Sequence, residues 1–274
     1  MIKKTPRIEV THLPKKTITR ILSCVLCIPL LSGCGTTKPT ASTLTTIKSP
    51  TASTTTTATA PTTATTVTYA KPKAVRGKVL IDAPILCQFP EYPTGCESVA
   101  AVMALKYVGE TTSVDNFIDN YLECSQRMYW EGGKYYAPSP YEYFLGDPRS
   151  ENSYGCMSTV IKQALIRYFG SADRVTDTTC VSLPNLCKTY IDNGVPVIVW
   201  ASIGMIPITD GQTWLLPDGT EYTWPSNEHS LLLVGYDTSK YYFNDPYTGK
   251  VVGYTRSTVE QRYEQLGMQS LVVK

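Results

Sequence analysis

The chain has 274 residues, of which 42% are hydrophobic, so it can form one substantial globular domain together with non-globular segments. Its 25 Lys and Arg residues against 23 Asp and Glu residues give a formal net charge of +2. This balance does not indicate a nucleic-acid partner, because a nucleic-acid surface needs clustered positive charge.

Residues 1–34 combine a basic stretch, a short apolar run and a cysteine. The run ILSCVLCIPLL is too short to span a bilayer comfortably and has the form of a signal-peptide core. It ends in Leu31-Ser32-Gly33-Cys34, which resembles the lipobox of bacterial lipoproteins, in which the cysteine is acylated and becomes the mature N-terminus. An uncleaved anchor or a buried apolar segment is the alternative. We therefore expect a lipid on Cys34 that holds the protein at the extracytoplasmic face of a cell membrane.

Residues 35–75 are dominated by Thr, Ala, Ser and Pro. A segment with so little apolar surface cannot offset its ordering entropy, so it is predicted to be a disordered tether. A flexible coil of ~40 residues has an end-to-end distance of ~35 Å, which holds a domain close to a membrane. Loss of residues 1–34 removes six basic residues and Glu9, leaving 19 Lys and Arg against 22 Asp and Glu, so the mature protein is slightly acidic.

Residues 76–274 are predicted to form the globular domain, with helices mainly in its first half. After a short strand at GKVLIDAP, helices are predicted at TGCESVAAVMALKYVG, SVDNFIDNYL, CMSTVIKQALIRYFG and SLPNLCKTYIDNG. Strands follow at PVIVWASI, QTWLL, TEYTW, HSLLLVGYD, KYYFND and KVVGY, and then a helix at STVEQRYEQLG and a strand at QSLVVK. Asp218-Gly219 is a hairpin turn signal. Helices followed by an antiparallel sheet indicate the α+β class.

The nine cysteines do not form the pattern of a disulfide scaffold. Cys24 and Cys27 leave with the signal peptide, and Cys34 is used by the lipid. The other six are Cys87, Cys96, Cys124, Cys156, Cys180 and Cys187. An extracytoplasmic location permits disulfides, but a free Cys96 leaves an odd number of thiols.

Cys96 stands at the start of a predicted helix. Thr94 and Glu97 have the spacing of a capping box, which would make Thr94 the N-cap and Cys96 the second helical residue. The free amides and the dipole at that position favour a thiolate, the nucleophilic form of cysteine. Glu97 opposes this by its charge unless its side chain turns back to the cap. The alternative is that Cys96 is a small buried residue.

His229 is the one histidine outside residues 1–34, since His12 lies in the signal region. If HSLLLVGYD and KYYFND form a hairpin around Asp237, then His229 and Asp245 lie at the same open end. An acidic residue there can orient the imidazole as a base, whereas Asn244 would point to the opposite face. The alternatives are a surface histidine and an ordinary Asp-Pro turn.

These motifs together resemble a known family. Gln-x7-Cys at a helix start, then His-x3-Leu-x-Gly-Tyr, then Asn-Asp-Pro-x-x-Gly are similar to the bacteriocin-processing (double-glycine) peptidase-like domain of the papain-like superfamily. The segment GDPRSENSYGC is also similar, and the resemblance covers residues 77–274. It implies a papain-like fold in which the helix that carries the cysteine packs on a C-terminal antiparallel sheet.

The resemblance also implies catalytic roles. Cys96 matches the nucleophile, His229 the general base and acid, Asp245 the residue that orients the imidazole, and Gln88 the glutamine that helps to hold the oxyanion. No metal or cofactor is implied, the substrate would be a peptide or protein, such as one at the cell surface, and we expect a monomer. Unlike transporter-linked members, this sequence has no membrane-spanning or nucleotide-binding portion, so double-glycine leader substrates are not assigned to it.

Other sites and functions compete with this interpretation. Cys156 follows a glycine at another predicted helix start, with Ser153 as a possible cap, but has no matching upstream glutamine. The tyrosine-rich segment RMYWEGGKYYAPSPYEYFLGDP either binds substrate or covers the domain's own core. One mature histidine gives too few ligands for a zinc hydrolase. An acyltransferase or transglutaminase with the same triad, and a non-catalytic peptide- or glycan-binding module, remain open.

Overall fold

The computed structural model describes residues 69, 72, 74 and 77–274. The signal peptide, Cys34 and most of the 35–75 linker lie outside the described residues. In the part of the chain that is described, no helix has both the length and the apolar character needed to cross a membrane.

Five α-helices occur in the described domain. They are α1 (Cys96–Tyr107), α2 (Val114–Tyr121), α3 (Ser158–Phe169), α4 (Leu183–Thr189) and α5 (Arg256–Gln265). Every residue of α1 from Cys96 to Leu105 is buried, as expected for a helix without a polar face. Its run of Ala, Val and Ser allows neighbouring backbones to approach closely. The helix that begins at Cys96 is therefore the central helix of the domain.

The main sheet is antiparallel throughout. Its strands are β6 (Val175–Asp177), β7 (Val197–Ser202), β10 (Glu228–Tyr236), β11 (Lys240–Asp245), β12 (Lys250–Thr255) and β13 (Ser270–Val273). Their order is β12-β11-β10-β7-β13-β6, and β1 (Val79–Leu80) pairs with the end of β10. Helices packed on this sheet confirm the predicted α+β class.

A second sheet differs from the prediction. Its strands are β3 (Tyr129–Glu131), β4 (Lys134–Tyr136), β8 (Thr209–Leu215) and β9 (Glu221–Ser226), and a short parallel pair joins β2 (Cys124–Ser125) to β5 (Phe144–Leu145). The predicted strands β8 and β9 therefore leave the main sheet and pair with a hairpin in the tyrosine-rich segment. Gly132 and Gly133 form the turn of that hairpin with φ of 55° and 77°, a conformation that glycine adopts without strain.

The hairpin of β10 and β11 has the predicted arrangement. Its turn is closed by a hydrogen bond from the Asp237 amide to the Lys240 carbonyl, 2.9 Å long. Leu232 pairs with Asn244, and the other side of β10 pairs with β7, where His229 lies opposite Ala201. The start of β10 and the end of β11 consequently meet at one edge of the sheet.

Close contact at Gly235 joins β1 to β10 and gives a testable prediction. A Cβ atom at Gly235 would lie 2.3 Å from the Val79 carbonyl oxygen, which is far inside contact distance. We expect Gly235→Ala to lower the free energy of unfolding by about 1–3 kcal/mol because the backbones must separate. Urea unfolding measures this, and Val251→Ile, which adds a methyl group at an exposed strand position, should have almost no effect. Equal stability of both variants would contradict the prediction.

Candidate active site

The start of α1 is built differently from the predicted capping box. Gly95 is the N-cap, and no side chain caps it, so Cys96 is the first helical residue rather than the second. The Thr94 hydroxyl instead donates to the Ser150 carbonyl at 2.9 Å. Glu97 does not turn back to the cap, because its side chain is fully buried beside the thiol. Both predicted capping partners are therefore engaged by other groups of the folded domain.

The Cys96 thiol lies in an acidic environment. Its Sγ atom donates to Oε2 of Glu97 at 3.3 Å and accepts from the Ser230 amide at 3.4 Å. Burial raises the pKa of this thiol well above its ordinary value, the charges of Glu97 and Glu228 raise it further, and the Ser230 amide lowers it. The thiolate expected from the helix terminus is thus opposed by desolvation and two carboxyl groups. A reactive thiolate at Cys96 requires a base.

His229 and Asp245 form a buried pair. His229 Nε2 lies 2.7 Å from Oδ1 of Asp245, and each side chain is only 1% exposed. Asp245 Oδ1 also accepts the amide of Tyr247 at 2.9 Å. If Asp245 acts as an acceptor in this pair, the hydrogen is on Nε2 of His229 and the lone pair is on Nδ1. This is the tautomer that leaves His229 able to take a proton.

The structure brings Cys96 beside the His229 backbone but does not join the two side chains. Among the described residues, no hydrogen bond links Cys96 Sγ to the His229 ring, whereas the amide of the next residue, Ser230, contacts Sγ. The thiol hydrogen is directed to Glu97. Transfer of that proton to His229 therefore needs the thiol hydrogen to leave Glu97 and Sγ to come within hydrogen-bond reach of the imidazole. Such looser geometry is common in enzymes without bound substrate.

Gln88 is held beside the Asp245 turn. Its amide donates to the Pro246 carbonyl at 2.9 Å. Its side-chain Nε2 donates to the Pro93 carbonyl at 2.8 Å, which fixes the direction of a buried amide group. One Nε2 hydrogen remains after this bond. The loop thus presents an oriented donor, although no contact between Gln88 and Cys96 is present.

Asn244 supports the same loop from the opposite face of β11. Its Nδ2 atom donates to the carbonyls of Ala83 and Pro84 at 2.9 and 3.0 Å. These bonds tie the segment before Gln88 to the strand that ends in Asp245. Asn244 therefore holds the loop while Asp245 contacts His229, because adjacent side chains of a strand point to opposite faces.

Glu97 and Glu228 are site residues that sequence reasoning missed as a pair. The Cys156 amide donates to Glu97 Oε1 at 2.7 Å, while Oε1 of the 8%-exposed Glu228 has no hydrogen-bond partner. Burial raises the pKa of both carboxyl groups. The sequence does place each glutamate next to a predicted catalytic residue. No local pattern, however, shows that the two carboxyl groups lie close together in the fold.

Cys156 lacks the helix-start geometry predicted for it. Helix α3 begins at Ser158 with Met157 as its N-cap, and the Ser153 hydroxyl bonds to Asp147 rather than to a helix amide. Cys156 is 0% exposed and Cys96 is 6% exposed, so both cysteines are buried in the domain. Burial raises the Cys156 thiol pKa, and all six cysteines of the described domain are free thiols.

The tyrosine-rich segment is divided between surface and core. In the first strand of its hairpin, Tyr129 and Trp130 are 52% and 66% exposed, and they stack on Tyr136 and Tyr135 with ring centroids 5.3 and 5.1 Å apart. Phe144, later in the segment, is fully buried. A cleft of about 550 Å³ opens beside Tyr129 and Tyr136. The later part of the segment thus covers the core as predicted, while substrate binding by the exposed part stays a prediction.

Comparison with known proteins identifies the family to which this domain is related. The profile of the Peptidase_C39 like family matches residues 80–271. The chain is 31% identical over 186 residues to the uncharacterized protein YvpB of Bacillus subtilis (strain 168), which covers 68% of this chain and 71% of that protein. It is also similar to the crystal structure of a candidate C39-like peptidase from Bacillus anthracis, with a TM-score of 0.62, 25% identity, and coverage of 71% of this chain and 96% of that one. The chain therefore belongs to the Peptidase_C39 like family, with the papain-like α+β fold that its motifs imply.

Proposed function

We propose that this protein is a lipid-anchored cysteine peptidase that cleaves peptide or amide bonds outside the cytoplasm. The observation that carries the proposal is the buried 2.7 Å pair of His229 and Asp245, with Cys96 Sγ against the amide of Ser230. Family membership supports peptidase-like chemistry. The basic and apolar segment that ends at Cys34 supports the membrane anchor.

The proposed reaction uses each residue for a separate task. His229 Nδ1 takes the thiol proton of Cys96, and Sγ attacks the carbonyl carbon of the substrate. The second Nε2 hydrogen of Gln88 and a backbone amide near Cys96 hold the oxyanion that forms. His229 then returns the proton to the leaving amine, and water hydrolyses the thioester that remains on Cys96. Asp245 keeps the imidazole in the required tautomer throughout.

Acyl transfer is the second candidate, because it shares the thioester and differs only in the acceptor that replaces water. The exposed ring of Tyr129 beside the 550 Å³ cleft, with the exposed Trp130 next to it in the same strand, gives a surface on which a peptide or glycan could bind. This surface also suits the non-catalytic binding module. Turnover distinguishes that module from either enzyme.

A thiol-directed electrophile tests the proposed nucleophile. At neutral pH, iodoacetamide should modify Cys96 faster than Cys156, because Cys96 keeps a slight exposure of 6% against 0% and His229 is its proposed base. His229→Ala should slow modification of Cys96 by about 100-fold, the usual contribution of a general base. Peptide mapping by mass spectrometry separates these sites from the exposed Cys87, Cys124 and Cys180. Equal rates at both buried cysteines, unchanged by His229→Ala, would contradict the catalytic assignment.

Cleavage of natural substrates tests the reaction itself. New protein N-termini should appear when cell-surface proteins are incubated with the native protein and should be absent with Cys96→Ala. Gln88→Ala should reduce the cleavage rate by about 100-fold, as loss of one oxyanion donor does, while iodoacetamide modification of Cys96 stays nearly unchanged. Modification forms no oxyanion, so it is the matched control. An equal loss of cleavage and modification would show that Gln88 acts on folding or on the thiol.

Membrane attachment is predicted to depend on one cysteine. Cys34→Ser should abolish incorporation of an alkyne-labelled fatty acid and release the processed protein from the membrane fraction. Cys27→Ser, within the apolar run, should leave both unchanged. Continued lipid labelling of the Cys34→Ser variant would contradict the lipobox assignment.

A further inference from the structure

Three ionisable side chains face one another beneath the start of α1. One donor-type atom from each of Cys96, Glu97 and Glu228 lies within 4.8 Å of the other two, and all three residues are buried. In the described domain, neither glutamate forms an ion pair with a Lys, Arg or His side chain. Three acidic groups in a dry site repel one another when ionised, so the cluster favours a positively charged ligand.

The hydrogen bonds of the cluster satisfy Glu97 but not Glu228. Glu97 accepts the Cys156 amide at Oε1 and the Cys96 thiol at Oε2. Glu228 Oε1 is fully buried and has no donor. A buried carboxyl oxygen without a partner is costly, and here it belongs to a side chain directed towards a thiol and a second carboxyl group. This unpartnered oxygen indicates a ligand rather than a purely structural arrangement.

The backbone around the cluster leaves space for these carboxyl groups. Gly155 has φ of 130°, and a Cβ atom there would lie 2.5 Å from Glu97 Oε1 and 3.5 Å from Glu228 Oε2. The ring of Trp224 would be 3.4 Å from the same point, so an aromatic side chain covers this side. A glycine with positive φ is thus required where the carboxyl groups meet the main chain.

We propose that Cys96, Glu97 and Glu228 form an inhibitory binding site for a transition-metal dication of the Zn²⁺ type. One thiolate and two carboxylates are donors that Zn²⁺ accepts, whereas Mg²⁺ and Ca²⁺ select oxygen ligands alone. Zn–S and Zn–O bonds of about 2.3 and 2.1 Å place the ligands of a tetrahedral ion ~3.5 Å apart. Donors already within 4.8 Å need only small side-chain movements to reach that spacing.

Metal binding at this site has a direct consequence for the nucleophile. The ion displaces the Cys96 thiol proton, together with any proton held by Glu97 or Glu228, to solvent, and the sulfur lone pair that would attack a carbonyl forms the metal–sulfur bond instead. It also holds Sγ against Glu97 and Glu228, the side on which the thiol already donates to Glu97. The inhibitory effect rests on the proposed role of Cys96, whereas the binding itself does not.

Cobalt titration of the purified full-length protein tests the site. Co²⁺ is the probe, because a thiolate ligand gives it a strong sulfur-to-metal absorption that oxygen ligands do not. We expect this absorption to saturate at one equivalent, to disappear on addition of Zn²⁺, and to be absent in Cys96→Ser. Glu228→Gln, of nearly equal shape, should weaken Co²⁺ binding by at least about tenfold. Cys180→Ser and Glu264→Gln are exposed controls that should bind as the native protein does.

Three results would overturn the site. They are no thiolate absorption at millimolar Co²⁺, an absorption that persists in Cys96→Ser, and unchanged affinity in Glu228→Gln. Native-like circular dichroism of each variant shows that loss of binding is not loss of fold. In parallel, Zn²⁺ should block iodoacetamide modification of Cys96, and a chelator should restore it.

His229→Ala separates this inference from the proposed function. The variant should bind Co²⁺ as the native protein does, because His229 is not a ligand, even though it loses activity. If the native protein binds cobalt but has no cleavage activity, that result would contradict the proposed peptidase and support the metal site. The reverse result, cleavage activity without cobalt binding, would contradict the metal site alone.

Discussion

The site depends on the close approach of the first turn of α1 to the first residues of β10. Cys96 Sγ lies 3.4 Å from the amide of Ser230, so helix and strand meet at the atom that would carry the reaction. Small residues along α1 make this approach possible, and the fully buried helix holds it in place. The positions of His229, Glu228 and Glu97 relative to the thiol all follow from this one contact.

The loop that carries Gln88 reaches the site through different interactions. Its amide bonds to Pro246, and Asn244 holds the preceding segment at Ala83 and Pro84. Gln88 is therefore attached to the end of β11 rather than to α1. The hairpin of β10 and β11 consequently positions the imidazole, its carboxylate partner and the predicted oxyanion donor together. Only the nucleophile comes from the other layer of the domain.

The sequence predicted the features that local patterns control. A continuous apolar run and a four-residue turn identified the hairpin that joins His229 to Asp245, and the apolar run after Cys96 identified the buried helix. The predicted capping box failed because long-range partners competed for both side chains. Ser150 accepts the hydroxyl of Thr94 from 56 residues away, and Cys156 donates to Glu97 from 59 residues away. Spacing within one turn carries no information about such partners.

The pairing of strands that are distant in the sequence could not be predicted from local patterns either. The sequence predicted β8 and β9 as strands, but not that they leave the main sheet for the hairpin at Gly132 and Gly133. The turn signal of two glycines was present, yet the surrounding aromatic residues fit a loop as well as a strand. The role of Gln88 came from family resemblance alone, because a polar residue before a proline has no local signature of catalysis.

Helix α1 and strand β10 carry both the proposed catalytic residues and the two acidic residues that oppose a thiolate at Cys96. Glu97 directly follows Cys96, and Glu228 directly precedes His229, so any packing of α1 on β10 that unites the proposed catalytic residues also unites the two acids. Alternation along β10 separates their directions, because His229 bonds to Asp245 while Glu228 lies near the thiol. The two proposals therefore give neighbouring residues opposite effects on the same thiol. In them, Glu97 and Glu228 stabilise a proton or a cation at sulfur, whereas His229, one residue after Glu228, removes the proton.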